Sequence, residues 1–380
     1  MPSLTNKIPQ MPSGINAGAT FFLSCSFFFT IRPMPFIDFT TIIREAWIAY
    51  DSSREIAHIT DISAQVSTNH VYRIVFRDKS IIIGKLSYFG KYEYFVEDHT
   101  IINSLSNNLP APFEHFLARS LMKGNTLFVH RHKNEVIDAW VVFYRPIKIK
   151  NRPPRRLSEE QVVKLAEQFA LFHKACHTIR HTIPPSSKTL EVDIHHLLEI
   201  MDTEVGRHEY RLHEGLIREQ AEHFFVNMER LQANKLDKIP VFVDWNIGNF
   251  SLTSSFKFYS RWDYDWFRMS SRMMDFYFIS RVVSDIGDRT VFTYNIEPLM
   301  EERFILFLKT YHQIFPFKAE EIRLLKEVYR FFLLNYVIKD GRYFFHEIFA
   351  TKLQKEAYSI HLPSIEEKFD ADILLQALNL

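Results

Sequence analysis

The sequence has little of what several large protein classes depend on. Only two cysteines, Cys25 and Cys176, occur among its 380 residues, which excludes a disulfide scaffold and a cysteine-rich zinc site and favours a reducing cytoplasm. Its 46 basic and 45 acidic residues nearly cancel, so no net field draws the whole chain to nucleic acid. The apolar run at residues 17–30 is too short to span a bilayer. We therefore expect neither a nucleic acid nor a membrane as partner.

Three catalytic signatures are missing as well. The chain has no H-E-x-x-H zinc motif, no G-x-S-x-G acyl-transfer nucleophile and no G-x-G-x-x-G dinucleotide loop. These absences exclude the metalloprotease, serine-hydrolase and dinucleotide-binding classes that such motifs mark. What is abundant is apolar material, because 47% of the residues are hydrophobic and can bury a sizeable core.

The chain divides into four segments by composition. We interpret residues 1–33 as an extension or a mis-assigned start, with a targeting segment as the alternative. Residues 34–145 alternate short β-type runs with one helix at 92–109 that Pro110 ends. Residues 146–157 are rich in basic residues and proline, which indicates a solvated linker or, alternatively, an anion-attracting patch. Residues 158–380 are mainly helical, beginning with a capping box at Ser158.

Polar oxygen-bearing side chains concentrate in two strand-like pieces of the second half. Asp244 and Asn249 lie in VDWNIGNF, and Asp263 and Asp265 lie in WDYDW. We expect the two pieces to form a hairpin that brings Asn249 close to Asp263. Hard cations such as Mg²⁺ take one or two oxygen ligands from protein and the rest from water and phosphate. Asp244 would then stand beside the metal, where it could accept a proton from an attacking hydroxyl.

These motifs resemble those of the aminoglycoside and choline kinase-like phosphotransferases. DWNIGN fits the catalytic D-x-x-x-x-N, WDYDW fits the metal-binding aspartate, and RMSSRMMDF fits the R-x-x-D that follows it. The resemblance implies an α+β, two-lobed protein-kinase-like fold and ATP- and Mg²⁺-dependent phosphoryl transfer to a small-molecule hydroxyl. It also implies that Asp244 is the catalytic base, that Asn249 and Asp263 hold Mg²⁺, and that Asp275 braces the loop.

The first half of the chain fits the same resemblance. Lys85 ends the apolar run SIIIGKLSYF, and the family's lysine at this place contacts the ATP phosphates and pairs with a glutamate of the following helix. We predict Glu97 as that partner, with Glu93 as second choice. Lys85 alone could equally be a gatekeeper on an edge strand. The residues that resemble the family's nucleotide loop and would cover the phosphates are Ser67, Thr68 and Asn69.

Two departures from the family pattern keep a second hypothesis open. Phe242 stands where the family usually carries a histidine that supports the catalytic loop, and the nucleotide loop lacks glycine. The alternative is a non-catalytic, pseudokinase-like module that binds a nucleotide or a partner.

The sequence leaves the acceptor open among an aminoglycoside, an amino alcohol, a sugar and a homoserine-like compound. Acidic residues of the helical half could hold a cationic amine or could simply be solvated: Glu191, Asp193, Glu199, Asp202 and Glu204.

Overall fold

The computed structural model describes residues 37–64, 67–287 and 293–380. The interpretation of residues 1–33 lies outside these ranges. Within them, no helix is both long enough and apolar enough to cross a membrane.

A five-stranded antiparallel sheet dominates the first part of the described chain, with the strand order β1-β2-β3-β7-β6. Its strands are β1 Ile56–Asp61, β2 His70–Phe76, β3 Ile81–Ser87, β6 Val129–Lys133 and β7 Asp138–Tyr144. The short strands β4 Met122–Lys123 and β5 Thr126–Leu127 pair with each other. The sheet and the helices that follow it confirm the predicted α+β, two-lobed fold class.

Each face of the sheet is covered by one helix. Alternate residues of a strand point to opposite faces, and helix α1 (Phe39–Tyr50) packs Trp47 against Phe76 and Phe143, with ring centroids 4.6 and 5.3 Å apart. On the other face, helix α2 (Tyr92–Asn108) places Phe95 at 5.9 Å from Trp140. Because β3 lies in the middle of the sheet, Lys85 is not on an edge strand, and the gatekeeper alternative is wrong.

The second part of the chain is a set of packed helices. The longer ones are α3 Glu159–Ile179, α4 Leu190–Asp202, α6 Glu214–Arg230, α7 Phe276–Val283, α8 Glu302–Ile314, α9 Ala319–Phe331, α11 Glu347–Glu356 and α13 Ala371–Leu378. Three short ones are α5 Glu204–Glu209, α10 Gly341–Phe344 and α12 Ile365–Lys368. A π-helical stretch, Phe332–Lys339, continues α9. Helix α3 begins with the predicted capping box, in which Ser158 Oγ accepts from Gln161 N and Gln161 Oε1 accepts from Ser158 N.

Two small antiparallel pairs carry the polar motifs, and their pairing differs from the predicted hairpin. Strand β8 (Ile239–Val241) pairs with β11 (Arg268–Ser270), whereas β9 (Phe250–Leu252) pairs with β10 (Phe258–Arg261). The predicted hairpin paired the piece around residue 240 with the piece around residue 260. The observed hairpin uses β9 as its first strand instead, so this part of the prediction is wrong. The first strand of the observed hairpin begins directly after Asn249, at the triplet FSL.

The segment between the lobes is docked along much of its length. Asn151 exchanges two backbone hydrogen bonds with Leu252, at 3.0 and 2.8 Å. Lys150 Nζ lies 4.2 Å from the centroid of the Tyr259 ring, and Arg156 Nε donates to the carbonyl of Asp285. These contacts join the segment to the β9–β10 pair and to the end of α7.

Candidate active site

Asp244 lies in a tight loop directly after strand β8. Val243 has a φ of 61°, a left-handed conformation that is costly for a β-branched residue and persists only where the surroundings enforce it. Asp244 N donates to the carbonyl of Phe242 at 2.6 Å, and Asp244 Oδ1 accepts from Asn246 N at 3.2 Å and Asn246 Nδ2 at 2.5 Å. Burial, and after it the charge of Asp263, raises the pKa of Asp244 to about 7.

Asp275 holds this loop from beneath. Its Oδ1 accepts from Phe242 N at 2.8 Å and from Val243 N at 2.6 Å, and its Oδ2 lies 3.0 Å from His173 Nε2. Asp275 is fully buried and stands at the N-cap position of α7, but its side chain makes no cap hydrogen bond to that helix. Two amides that share one carboxylate oxygen explain how the loop can keep its strained Val243.

Arg261 also holds the loop, and sequence reasoning missed it. Its Nη2 donates to the backbone carbonyl of Asp244 at 3.0 Å, and its guanidinium carbon lies 4.5 and 4.2 Å from the ring centroids of Phe242 and Trp245. Arg261 is fully buried. A charged residue two positions before a candidate metal-binding aspartate, inside an apolar strand, is the signal that could have drawn attention to it.

The candidate metal ligands are brought to the same end of the β9–β10 hairpin. Trp262 N donates to the carbonyl of Asn249 at 3.0 Å. Asp263 is the next residue after Trp262, so it lies at the end of the hairpin where Asn249 lies. Asn249 Nδ2 is directed at the carbonyl of Asp244, at 3.4 Å, so the amide oxygen of Asn249 is turned the other way. Asp263 has a φ of 66°, which turns its side chain out of the strand direction.

Lys85 reaches this centre from the first lobe. Its Nζ lies 3.1 Å from Asp263 Oδ1 and also bonds Asp265 Oδ1, although only 7% of the lysine side chain is exposed. Burial lowers the pKa of Lys85, but the attraction of the two carboxylates outweighs it and raises the pKa overall. The lysine of the first lobe and the two aspartates of the second lobe are therefore in direct contact.

Glu97 does not pair with Lys85, and this part of the prediction is wrong. Glu97 Oε1 accepts from Ser186 Oγ and Ser187 N, both at 2.7 Å. The cause is the helical register: Phe95 and His99, four apart, share the face of α2 that packs on the sheet, and Glu97 between them points about 200° away. Asp265 takes the place that the prediction gave to a glutamate.

Glu93, the second choice, shares the face of Glu97 because it lies four residues before it. The Arg131 guanidinium is 3.9 Å away, and the side chain of Glu93 is 73% exposed. Neither glutamate of α2 therefore approaches Lys85.

The three residues that were predicted to cover the phosphates make contacts in different places. Asn69 joins the lysine centre, because its Nδ2 donates to Asp265 Oδ2 at 2.6 Å and its Oδ1 accepts from Ser87 Oγ at 3.1 Å. Thr68 instead contacts the end of α10: its amide donates to the carbonyl of Phe344 at 3.3 Å and its hydroxyl bonds the carbonyl of Tyr343.

Ser67 Oγ accepts from the amide of Asn69 at 3.1 Å. The two preceding residues of the loop, Gln65 and Val66, lie outside the described ranges.

A cavity of about 500 Å³ opens beside Asp265. It lies between α2 of the first lobe and α4, the β11 segment and the π-helical stretch of the second. Its wall combines aromatic rings with charged groups, which is typical of a site for a small organic ligand. The sequence predicted an acceptor site in the helical half, and this cavity is lined by residues of the helical half together with α2.

The fit of a divalent cation rests on the donor set. No group of three His, Cys, Asp or Glu side chains in the described ranges could hold a metal. Asn249 and Asp263 offer two oxygen-bearing side chains at one end of a hairpin, and 39% of the Asp263 side chain is exposed. Two such ligands fit Mg²⁺, which keeps several positions for water and phosphate, whereas they do not suit a closed zinc site.

Comparison with solved structures decides the fold. Over 89% of this chain and 97% of the other, the structure matches an amicoumacin kinase solved with AMP-PNP and Ca²⁺, with a TM-score of 0.60 and 12% identity. The chain has the fold of the small-molecule phosphotransferases.

Two further matches share this phosphotransferase fold. One is a microcompartment-associated aminopropanol kinase, with a TM-score of 0.55 and 14% identity over 84% of this chain and 94% of the other. The second is an aminoglycoside phosphotransferase in complex with gentamicin, with a TM-score of 0.53 and 14% identity over 87% and 99%. No family model and no curated protein matches the sequence. The phosphotransferase fold is thus detected through structure, at identities where sequence comparison finds nothing.

Proposed function

We propose that this protein transfers the γ-phosphoryl group of ATP to a hydroxyl of a small molecule, with Mg²⁺ as the metal. The observation that carries the proposal is the meeting of Lys85 with Asp263 across the cleft, beside the loop that holds Asp244 and Asn249. Phosphoryl transfer requires positioning and charge neutralisation rather than covalent chemistry by the protein, and these four side chains can supply both.

Asp244 would orient the acceptor hydroxyl and take up its proton. Asp244 is half-buried, and Asp275 and Arg261 hold the backbone on either side of it. Such rigid support is what a general base needs, because its efficiency depends on a fixed geometry at hydrogen-bond distance.

Asn249 and Asp263 would hold the Mg²⁺, which neutralises charge on the transferring phosphate when bound. Lys85 would contact the phosphates of ATP and is held ready by Asp263 and Asp265. In this proposal residues 34–145 bind the nucleotide, 146–157 connect the lobes, and 158–380 carry the catalytic loop and the acceptor site.

A non-catalytic binding module is the second candidate. It is favoured by the nucleotide loop, where Thr68 binds the second lobe through both its amide and its hydroxyl and no glycine allows a close approach of phosphate. Phe242 also favours the binding module, because it stands where the family usually carries the histidine that supports the catalytic loop.

Thermal-shift measurements with ATP, with and without Mg²⁺, distinguish the two candidates. We expect ATP to raise the Tm only when Mg²⁺ is present, and Asp263→Ala to abolish this shift. Asp372→Ala, at a side chain that is 86% exposed, is the matched control and should keep it. A metal-independent shift that survives Asp263→Ala would favour the binding module.

The catalytic role of Asp244 needs a turnover measurement. We expect Asp244→Ala to lower ATP turnover by roughly 10²- to 10⁴-fold, the usual contribution of a positioned acid or base, with little change in ATP affinity. Unaltered turnover in this variant would refute the assignment.

A further inference from the structure

The cavity beside Asp265 has carboxylates that the protein itself neutralises. Four of them are buried or partly buried wall residues: Asp98, Asp193, Asp265 and Asp340. Asp98 pairs with Lys188, and Asp193 pairs with both Arg268 and Lys339. Asp265 pairs with Lys85, and Asp340 pairs with Lys339. The Lys188 ammonium lies 2.6 Å from Asp98 Oδ2. Four carboxylates of the wall therefore face four cations of the chain, one of which, Lys85, is shared with Asp263, and the inner wall offers a ligand no carboxylate that lacks a cationic partner.

These internal pairs are hard for a ligand to displace. The side chains of Lys188, Arg268 and Lys339 are 11%, 5% and 4% exposed. At such burial the attraction within a pair is much stronger than in water, and a cation left without its partner is costly. An incoming ammonium would have to compete with a lysine or arginine that is already in place.

Outside the pairs, the wall is largely aromatic. Rings line it from both lobes: Phe89, Tyr94, Phe95, Trp266, Tyr336 and Phe344. Trp266 and Tyr336 are stacked, with centroids 4.8 Å apart. Two more charges, Glu199 and Lys91, are exposed and opposite in sign, so Glu199 leaves room for a single ammonium.

Resting on the proposed phosphotransferase function, we propose that the acceptor is an alcohol with an apolar or aromatic body and no more than one positive charge. A polycationic aminosugar needs several unpaired carboxylates around it, whereas this wall provides one. An aromatic body gains from burial against the rings of the wall, and a volume of about 500 Å³ accommodates it.

Three probes test the acceptor class on the full chain without nucleotide. Phenylalaninol carries a ring, a hydroxyl and one ammonium, ethanolamine lacks the ring, and kanamycin is a polycation. We expect phenylalaninol to raise the Tm, ethanolamine at the same concentration to raise it less, and kanamycin to leave it unchanged. A larger shift with kanamycin than with phenylalaninol would overturn the proposal, as would equal shifts for phenylalaninol and ethanolamine.

The charge argument predicts a gain of binding. Lys188→Met leaves Asp98 without its cation. Burial already raises the pKa of Asp98 to about 6, and Lys188 works against this rise, so the variant is measured at about pH 8, where the lone carboxyl can ionise and kanamycin should bind at least about tenfold more tightly than it binds the parent protein. Lys164→Met is the matched control, because it removes the same charge from an exposed pair with Glu160 on α3 and should not change kanamycin binding. If Lys188→Met does not fold, Lys339→Met decides. Absence of a gain in the folded variant contradicts the proposal.

Failure of this inference and failure of the proposed function give different results. Kanamycin binding is measured without ATP, so tight binding by the parent protein contradicts only the acceptor class. Absence of a Mg²⁺-dependent ATP shift contradicts phosphotransfer, whatever the three probes do.

Discussion

His99 makes the stability of the protein depend on pH. It lies on α2 with 3% of its surface exposed, and its Nδ1 faces the carbonyl of Phe95 at 2.9 Å while its Nε2 lies 2.5 Å from the hydroxyl of Tyr144. A carbonyl can only accept, so Nδ1 carries the proton and Nε2 accepts from Tyr144. Burial, together with the positive charges of Lys85 and Lys188, lowers the pKa of His99 from 6.5 to about 3.

The sign of the effect follows from this direction. The folded protein keeps His99 neutral at pH values where the unfolded chain already protonates it. The contribution to stability is therefore complete above the unfolded pKa and is lost as the pH falls from 6.5 towards 3. Between about pH 7.5 and about pH 5.0 this loss amounts to about 2 kcal/mol.

Denaturant unfolding of the parent protein and of His99→Gln, followed by tryptophan fluorescence at the two pH values, measures this loss. Glutamine can still accept from Tyr144 but cannot be protonated. We expect the parent to lose about 2 kcal/mol more than His99→Gln on acidification, whatever the starting stability of the variant.

His115→Gln is the control, because His115 is exposed, and it should follow the parent. If His99→Gln and the parent lose stability in parallel, the buried neutral histidine does not exist as described.

Three further predictions concern the fold and the catalytic loop. Gly206→Ala should lower the free energy of unfolding by more than about 2 kcal/mol, because the added Cβ would lie 1.9 Å from a backbone oxygen. The Cβ added by Gly215→Ala meets nothing within 4 Å, so this variant should be more stable than the parent by up to about 1 kcal/mol. Thermal unfolding compares the two variants. Asp275→Asn should cost about 2 kcal/mol, the worth of charged hydrogen bonds, and a smaller loss in denaturant unfolding would contradict the brace. Arg261→Met should lower ATP turnover by about tenfold or more while denaturant unfolding changes by less than about 1 kcal/mol, since its packing volume is kept; unchanged turnover would contradict its role at Asp244.

Local signals were sufficient for the elements and for the order of the site. Alternating β-branched and aromatic residues predicted the strands, the capping box at Ser158 predicted the start of α3, and Pro110 predicted the end of α2 within a residue or two. The lysine strand and the two aspartate motifs were also legible, because each consists of polar residues in an apolar run. Such signals act over a few neighbouring residues and therefore appear in the sequence itself.

Partner choice, in contrast, was decided only when the chain folded. Asp265 rather than Glu97 binds Lys85 because the register of α2 on the sheet turns Glu97 towards Ser186 and Ser187. The role of Arg261 also depends on the fold, because its side chain holds the loop by donating to the carbonyl of Asp244. Which carboxylate meets which cation depends on distances between residues far apart in the chain. Those distances are set by packing, and no pattern in neighbouring residues records them.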